Sequence, residues 1–179
     1  MSKKEIIGKI IQVEGGYVDD PDDSGGETNF GITVEVAREN GYAGPMIDMD
    51  LGVAVSIYEA LYWDKLELDV IHHQAPAIAE ELMDTGVNMG TARAAKFLQR
   101  SLNVLNKKGA SYPDITVDGG IGQQTIQCFN SCLDIRGPRG ATVLLRMLNA
   151  LQGAFYVELA ERRERDEKFI FGWFLNRVS

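Results

Sequence analysis

The chain has 179 residues, of which 45% are apolar and 25% are charged, and its net charge is −8. This is ordinary globular composition, so extensive disorder is excluded and the length suits one sizeable domain, or one domain with a small lobe. The excess of 26 acidic over 18 basic residues argues against nucleic acid as the main partner and gives no support for an anionic membrane surface. No apolar run approaches the length of a transmembrane helix, which predicts no integral membrane segment.

The N-terminus is faintly similar to a signal peptide, because lysines precede a run of apolar residues. Glu5, Lys9 and Gln12 interrupt that run, however, and no small-x-small cleavage site follows it. We therefore predict a mature helix here, in a chain that is made in the cytoplasm without an export signal.

The remaining elements are predicted from apolar spacing and from turn residues. Apolar residues recur at helical spacing from Lys3 to Val13, and Gly15-Gly16 is expected to end this first helix. The next segment holds too many Asp and Gly residues for a helix, although FGIT is expected to form a short strand. Further helices are predicted at 33–40 and 50–66, capped by Thr33 and Asp50, and at 75–90, 91–106, 123–133 and 142–168, with a turn at 137–140. The fold class is therefore mostly α, with a small β or irregular lobe after the first helix.

The stretch EGGYVDDPDDSGGETNFGIT, which begins at Glu14, carries the residue types that glycosidic bond cleavage needs. That chemistry uses a carboxylic acid to protonate the leaving oxygen, and often a second carboxylate that acts on water or on the sugar. Glu14 ends an apolar helix, where partial burial would keep it protonated near neutral pH. The following glycines allow close backbone approach to a substrate, and the Asp cluster and threonines offer the second carboxylate and a water-positioning hydroxyl.

Two plainer interpretations stay open from the residues alone. Glu14 would then be a solvated helix end, and the Asp run a turn or a calcium loop, although DDPDDSGGE lacks a Glu at the twelfth position of an EF-hand. Cys128 and Cys132 share one face of a predicted helix, which does not suit a mutual disulfide. They are either two small buried residues or, with the neighbouring pair His72-His73, a zinc site, but neither pair is flanked like a zinc knuckle. We predict no metal and no organic cofactor.

The Glu14 stretch resembles the signature of the glycoside hydrolase family 108 N-acetylmuramidases, which occur in phage and prophage lysis modules. The resemblance implies a lysozyme-like fold with Glu14 as the catalytic acid. The layout is also similar to phage-type lysozymes, which implies Asp23 as second carboxylate and Thr28 as the water-positioning residue, although three other aspartates compete with Asp23. The matching motifs are Glu14-Gly15-Gly16-Tyr17, Asp20-Pro21, Gly25-Gly26-Glu27-Thr28 and Gly31-Ile32-Thr33.

The second half resembles the predicted peptidoglycan-binding domain that commonly follows the muramidase part in this family. The resemblance rests on Phe97-Leu98-Gln99, Asp118-Gly119-Gly120-Ile121-Gly122 and Thr125. Asp118 and the glycines form a tight turn into the next helix, and a turn without any ligand is an equal alternative. The stretch DTGVNMG and the C-terminal segment also resemble the family, which makes Asn88 a candidate to bind sugar or orient water, or else to satisfy backbone groups in a helix.

Aromatic rings stack on the faces of sugars, which makes Tyr17 the first candidate for substrate binding because it lies within the signature. Trp63 comes next, at a helix end, ahead of Tyr62 and Trp173. Each of these rings is more often a core residue than a sugar contact.

The resemblance therefore implies a muramidase part at 1–90 and a helical peptidoglycan-binding part at 91–179, packed into one compact unit. The expected reaction is hydrolysis of the β-1,4 bond between N-acetylmuramic acid and N-acetylglucosamine in glycan strands, by a monomeric phage or prophage endolysin. Such an enzyme would reach the periplasm and wall through a holin. The alternatives are a lytic transglycosylase on the same bond, or a non-catalytic wall-binding or virion protein.

Overall fold

The structure is a computed structural model that describes residues 1–19 and 26–178. It divides into two compact units, Met1–Asp64 and Lys65–Ser179. Within the described parts, 72% of the chain is helical, in eight α-helices accompanied by a single two-stranded sheet after the first helix. The predicted fold class, mostly α and lysozyme-like with a small β lobe, is confirmed.

The first unit is built around the amphipathic first helix. A capping box starts this helix, because Ser2 and Glu5 each bond the other's backbone N–H, and four isoleucines on one face are buried. Thr33 and Asp50 cap the following two helices as predicted, through bonds from Val36 and Val53. The regular elements are α1 (Lys3–Glu14), β1 (Thr28–Asn29), β2 (Ile32–Thr33), α2 (Val34–Glu39) and α3 (Leu51–Tyr58).

The two short strands form a hairpin whose turn is Phe30-Gly31. Thr28 pairs with Thr33 in antiparallel register, and an isolated bridge adds Val18 to the other side of Thr28. Both turn residues have positive φ, 53° for Phe30 and 72° for Gly31, which is the pattern of a type I′ hairpin turn. Glycine adopts this conformation without cost, whereas Phe30 needs support from outside the hairpin.

The sequence predicted one regular helix over 50–66. In the structure, α3 changes instead into a π-helical turn at Glu59–Trp63. The backbone N–H of Asp64 bonds the carbonyl of Glu59, five residues earlier, at 2.9 Å. Turns of this kind occur often at functional sites. This one lies directly after Tyr58 and includes Tyr62. The ring centroids of these two tyrosines lie 5.4 Å apart.

The second unit holds five helices: α4 (Leu68–Gln74), α5 (Pro76–Met89), α6 (Thr91–Leu105), α7 (Gln123–Arg162) and α8 (Glu167–Asn176). The predicted turn at 137–140 is a kink inside α7, where Gly137 takes φ 60° and ψ −152° and Pro138 follows. The predicted helix to Lys168 is wrong at its end, because α7 ends at Arg162 and a short 3-10 turn precedes α8. Among the described residues, none of the helices combines the length and apolar character needed to cross a membrane.

Candidate active site

Glu14 is the last residue of α1, and its position is set by the glycine that follows. Gly15 has φ 98°, a conformation that side-chain-bearing residues rarely adopt, so the helix ends there. The Glu14 side chain is half-buried, and its Oε1 atom is fully buried. The predicted partner Asp23 lies outside the described residues, as do the competing Asp20 and Asp22.

The Phe30-Gly31 turn packs directly against Glu14. A Cβ atom placed on Gly31 would lie 3.1 Å from the Glu14 Cβ and 3.1 Å from the Tyr58 hydroxyl. Both separations are tighter than ordinary van der Waals contact, so only glycine leaves the acid and the tyrosine in place. The glycine of the Gly-Ile-Thr motif is therefore needed at this point for space as well as for its positive φ.

Two tyrosines from α3 and the π-helical turn form the other wall of the site. Tyr58 donates a hydrogen bond to the Phe30 carbonyl at 3.0 Å, which holds the strained turn in place. Burial and, next, the nearby Glu14 carboxylate raise the pKa of Tyr58, and the same two causes raise the pKa of Tyr62. Both phenols therefore stay protonated through the physiological range and offer neutral O–H groups near the acid.

Thr28 belongs to the hairpin, and Tyr17 directly precedes Val18, which forms a bridge to Thr28. Thr28 exchanges two backbone hydrogen bonds of 2.8 Å with Val18, and its side chain is half-buried. Tyr17 is 37% exposed, so its ring can present a face to a ligand. Burial, followed by the charges of Glu27 and Asp19, raises the pKa of the Tyr17 phenol.

The structure corrects the prediction that Trp63 contacts the substrate. Its side chain is 0% exposed, and the ammonium of Lys3 lies 5.4 Å from its ring centroid. A ring without exposed surface presents no face to a sugar, so Trp63 is a core residue.

Tyr58 was missed by sequence reasoning; the one available signal was its spacing of four residues from Tyr62, which suits a shared helix face.

Asn88 lies in the second unit, near the end of α5. Its side-chain amide donates to the Asp84 carbonyl at 2.8 Å and to the Asp84 carboxylate at 3.2 Å, and the residue is exposed. Asp84 also accepts from Gln152 at 2.7 Å and forms an ion pair with Arg177 at 3.0 Å. Asn88 therefore borders a polar cluster that joins α5, α7 and the C-terminal segment.

Glu81, one turn before Thr85 on α5, is the most deeply buried acid of this cluster. It is 7% exposed and accepts a hydrogen bond from Thr85 at 3.3 Å. Burial, followed by the charge of Asp84, raises the pKa of Glu81 to about 8. The folded protein therefore holds this proton at neutral pH.

We expect this proton to make stability depend on pH. The unfolded chain releases it near the ordinary pKa of 4.5, and the folded chain near 8, so the protonated carboxyl stabilises the fold fully below 4.5 and its contribution is lost as pH rises through 8. Glu81→Gln lacks this proton and should lose less stability between pH 5 and pH 8, by a few kcal/mol. Thermal melting of both proteins across this range measures the difference. Equal slopes for the two proteins would show that Glu81 does not hold the proton.

The Asp118 turn of the second unit is explained by Gln99 on α6. The Gln99 amide donates to Asp118 at 2.8 Å and to the Gly120 carbonyl at 2.9 Å, and its oxygen accepts from the Gly119 N–H at 3.0 Å. The Gly120 N–H and, next, Gln99 hold the pKa of Asp118 below its usual range. The two motifs therefore belong together structurally, because Gln99 on α6 holds the Asp118 turn through these hydrogen bonds.

The cysteine pair is buried on α7, and both thiols are free. Across residues 1–19 and 26–178, no three His, Cys, Asp or Glu side chains lie close enough together to hold a metal ion. The zinc hypothesis for Cys128, Cys132, His72 and His73 gains no support from this arrangement.

Comparison with protein families separates the chain into two regions. Residues 7–90 match the model of glycosyl hydrolase 108, and residues 93–178 match a predicted peptidoglycan domain. The chain carries a glycosyl hydrolase 108 domain followed by a predicted peptidoglycan domain. The glycosyl hydrolase 108 assignment makes it a glycoside hydrolase, and the two regions together make it a peptidoglycan hydrolase. The domain division at residue 90 stays a prediction. The boundary between the two compact units lies elsewhere, after Asp64.

The solved structure of SagA from Brucella abortus is similar to this glycosyl hydrolase 108 protein. The match covers 94% of this chain and 95% of the SagA chain, with a TM-score of 0.55 and 23% sequence identity. At that identity the likeness shows a shared fold only. No curated protein matches the sequence significantly.

Proposed function

We propose that the protein is an N-acetylmuramidase, which hydrolyses the β-1,4 bond between N-acetylmuramic acid and N-acetylglucosamine, and that Glu14 is its general acid. The observation that carries this proposal is the placement of Glu14, whose carboxylate is partly buried where the end of α1 meets the Gly31 turn and the two tyrosines. A carboxyl group in such a setting can deliver a proton to the glycosidic oxygen as the bond to the leaving sugar breaks.

Hydrolysis then needs water at the anomeric carbon. We assign this step to Asp23, as base or as stabiliser of the developing positive charge, with Thr28 positioning the water. Tyr17 stacks on a sugar ring, and Asn88 binds a sugar or orients water. A separation of about 5 Å between the two carboxyl groups gives retention of configuration, whereas about 6.5–9.5 Å gives inversion.

The biological setting that we propose is host lysis by a phage or prophage endolysin. This follows from the resemblance of the Glu14 stretch to lysis-module muramidases. In that setting a monomeric protein made in the cytoplasm passes a holin and meets the glycan strands in the periplasm. The acidic charge favours binding to the wall by hydrogen bonds and stacking more than by charge.

Digestion of purified Gram-negative peptidoglycan in water enriched in oxygen-18 tests the reaction. A muramidase releases reducing muropeptides that carry one labelled oxygen at the new anomeric position, because water completes the cleavage. A lytic transglycosylase uses the sugar's own hydroxyl instead of water and leaves unlabelled anhydro products. Anhydro products, or binding without release, would each overturn the muramidase proposal.

A further inference from the structure

A groove in the second unit, between α6 and the later half of α7, plays no part in the proposed chemistry. It encloses about 250 Å³ and is lined by Arg100, Ser101, Val104, Met147, Ala150 and Leu151. This volume is just below the range of roughly 300–1,000 Å³ that is usual for ligand pockets, which suits a short segment of a larger ligand. We call it the α6–α7 groove.

A polar group in the wall of the α6–α7 groove is left without a protein partner. Ser101 is 1% exposed, and its Oγ atom makes no hydrogen bond to any residue in the described parts of the chain. A buried hydroxyl normally finds a partner, because leaving it unsatisfied costs its full desolvation. Ser101 is one of the residues that line the groove, so a ligand there can supply the missing bond.

The rim of the groove adds a cation and an exposed apolar side chain. Arg100 is exposed and forms no ion pair with an acidic side chain among residues 1–19 and 26–178, although the chain as a whole has a net charge of −8. Val104, one turn further along α6, is 73% exposed. A guanidinium beside apolar surface fits a ligand that combines a carboxylate with small apolar groups.

The lining of the groove distinguishes between the two parts of peptidoglycan. It contains no aromatic ring and no amide or carboxylate side chain, whereas sugar recognition relies on rings that stack and on polar groups that bond the hydroxyls. The stem peptides of peptidoglycan instead carry alanine methyl groups, peptide groups and free carboxylates. These match the apolar lining, the Ser101 hydroxyl and Arg100 in turn.

We propose that the α6–α7 groove binds the stem peptide of peptidoglycan, with Arg100 pairing to a peptide carboxylate and Ser101 bonding a peptide group. The proposal rests on the proposed function for its ligand, since the wall is the substrate. It assigns the peptide to the second unit and leaves the glycan strand to the Glu14 site.

The test is calorimetric titration of the 179-residue chain with a soluble stem tetrapeptide. Arg100→Glu should weaken tetrapeptide binding by about tenfold or more, because a charge-assisted pair is replaced by repulsion. Arg139→Glu is the matched control, since it makes the same charge change at an exposed arginine that does not line the groove. It should leave tetrapeptide affinity unchanged.

Ser101→Ala separates a binding role from a structural one. Removal of an unsatisfied buried hydroxyl should leave the melting temperature unchanged or raise it, whereas tetrapeptide affinity should fall several-fold. The proposal is overturned if the tetrapeptide does not bind, if Arg100→Glu and Arg139→Glu weaken binding equally, or if Ser101→Ala leaves affinity intact. Oxygen-18 products from glycan strands stripped of peptides report on the muramidase proposal separately, because that substrate offers nothing to the groove.

Discussion

Glu14→Gln is expected to lower the rate of glycan cleavage by about 10²–10⁴-fold while leaving the protein folded. Glutamine keeps the size of the side chain and its ability to accept hydrogen bonds, but it cannot deliver a proton to the leaving oxygen. The change is therefore confined to the chemistry, since the half-buried position at the end of α1 is filled as before. Release of soluble reducing ends from purified peptidoglycan measures the rate, and thermal melting checks the fold.

Glu35→Gln is the matched control for this substitution. Glu35 is an exposed carboxylate in the first turn of α2, so its replacement makes the same chemical change in the same unit. We expect activity within about twofold of wild type, since a first-turn acid contributes only a few tenths of a kcal/mol to its helix. Full activity of Glu14→Gln alongside this control would show that the acid is another residue.

Gly31→Ala is expected to reduce activity by about 10²-fold and to destabilise the first unit by about 1–2 kcal/mol. The destabilisation arises because φ at this position is 72°, where a side-chain-bearing residue is strained. The loss of activity arises because the added methyl group would lie 3.1 Å from the Glu14 Cβ and 3.1 Å from the Tyr58 hydroxyl. The acid must then shift, and a small displacement of a catalytic group costs much of its effect. Cleavage rate and melting temperature are both measured.

Gly8→Ala provides the comparison for Gly31→Ala. Gly8 lies inside α1, and no atom would meet a Cβ there within 4 Å. The same substitution should therefore stabilise the helix, by up to about 1 kcal/mol, without changing the cleavage rate. If Gly31→Ala retained wild-type activity, the close approach of the hairpin turn would have no role in placing Glu14.

The local features of the fold could be predicted from the sequence because neighbouring residues decide them. Thr33 and Asp50 are helix caps by their own side-chain chemistry, and the glycine after Glu14 ends α1 by its backbone freedom. The break near Gly137-Pro138 follows from the same reasoning, although α7 continues beyond it as a kinked helix. The early end of α7 at Arg162 was missed, because the charged residues that follow are, apart from Asp166, good helix formers.

The candidate site was predictable only where one short motif carries it. The acid and the Gly31 turn both lie within the single stretch 14–33. The contacts of Tyr58 join residues 28 positions apart, and no local pattern indicates them. Trp63 was misplaced for a related reason, because apolar aromatic residues at a helix end suit both a core and a sugar site, and packing alone decides between the two.

The π-helical turn at Glu59–Trp63 also has a consequence for comparisons between related chains. A helical turn closed by a hydrogen bond between residues five positions apart corresponds to one amino acid inserted into an α-helix. Deletion of that amino acid restores a regular α-helix instead of breaking it. Each residue turns an α-helix by about 100°, so a one-codon deletion here would rotate all later side chains relative to Tyr58. An alignment gap of one position opposite this turn would therefore mark relatives in which Tyr62 is oriented differently relative to the acid.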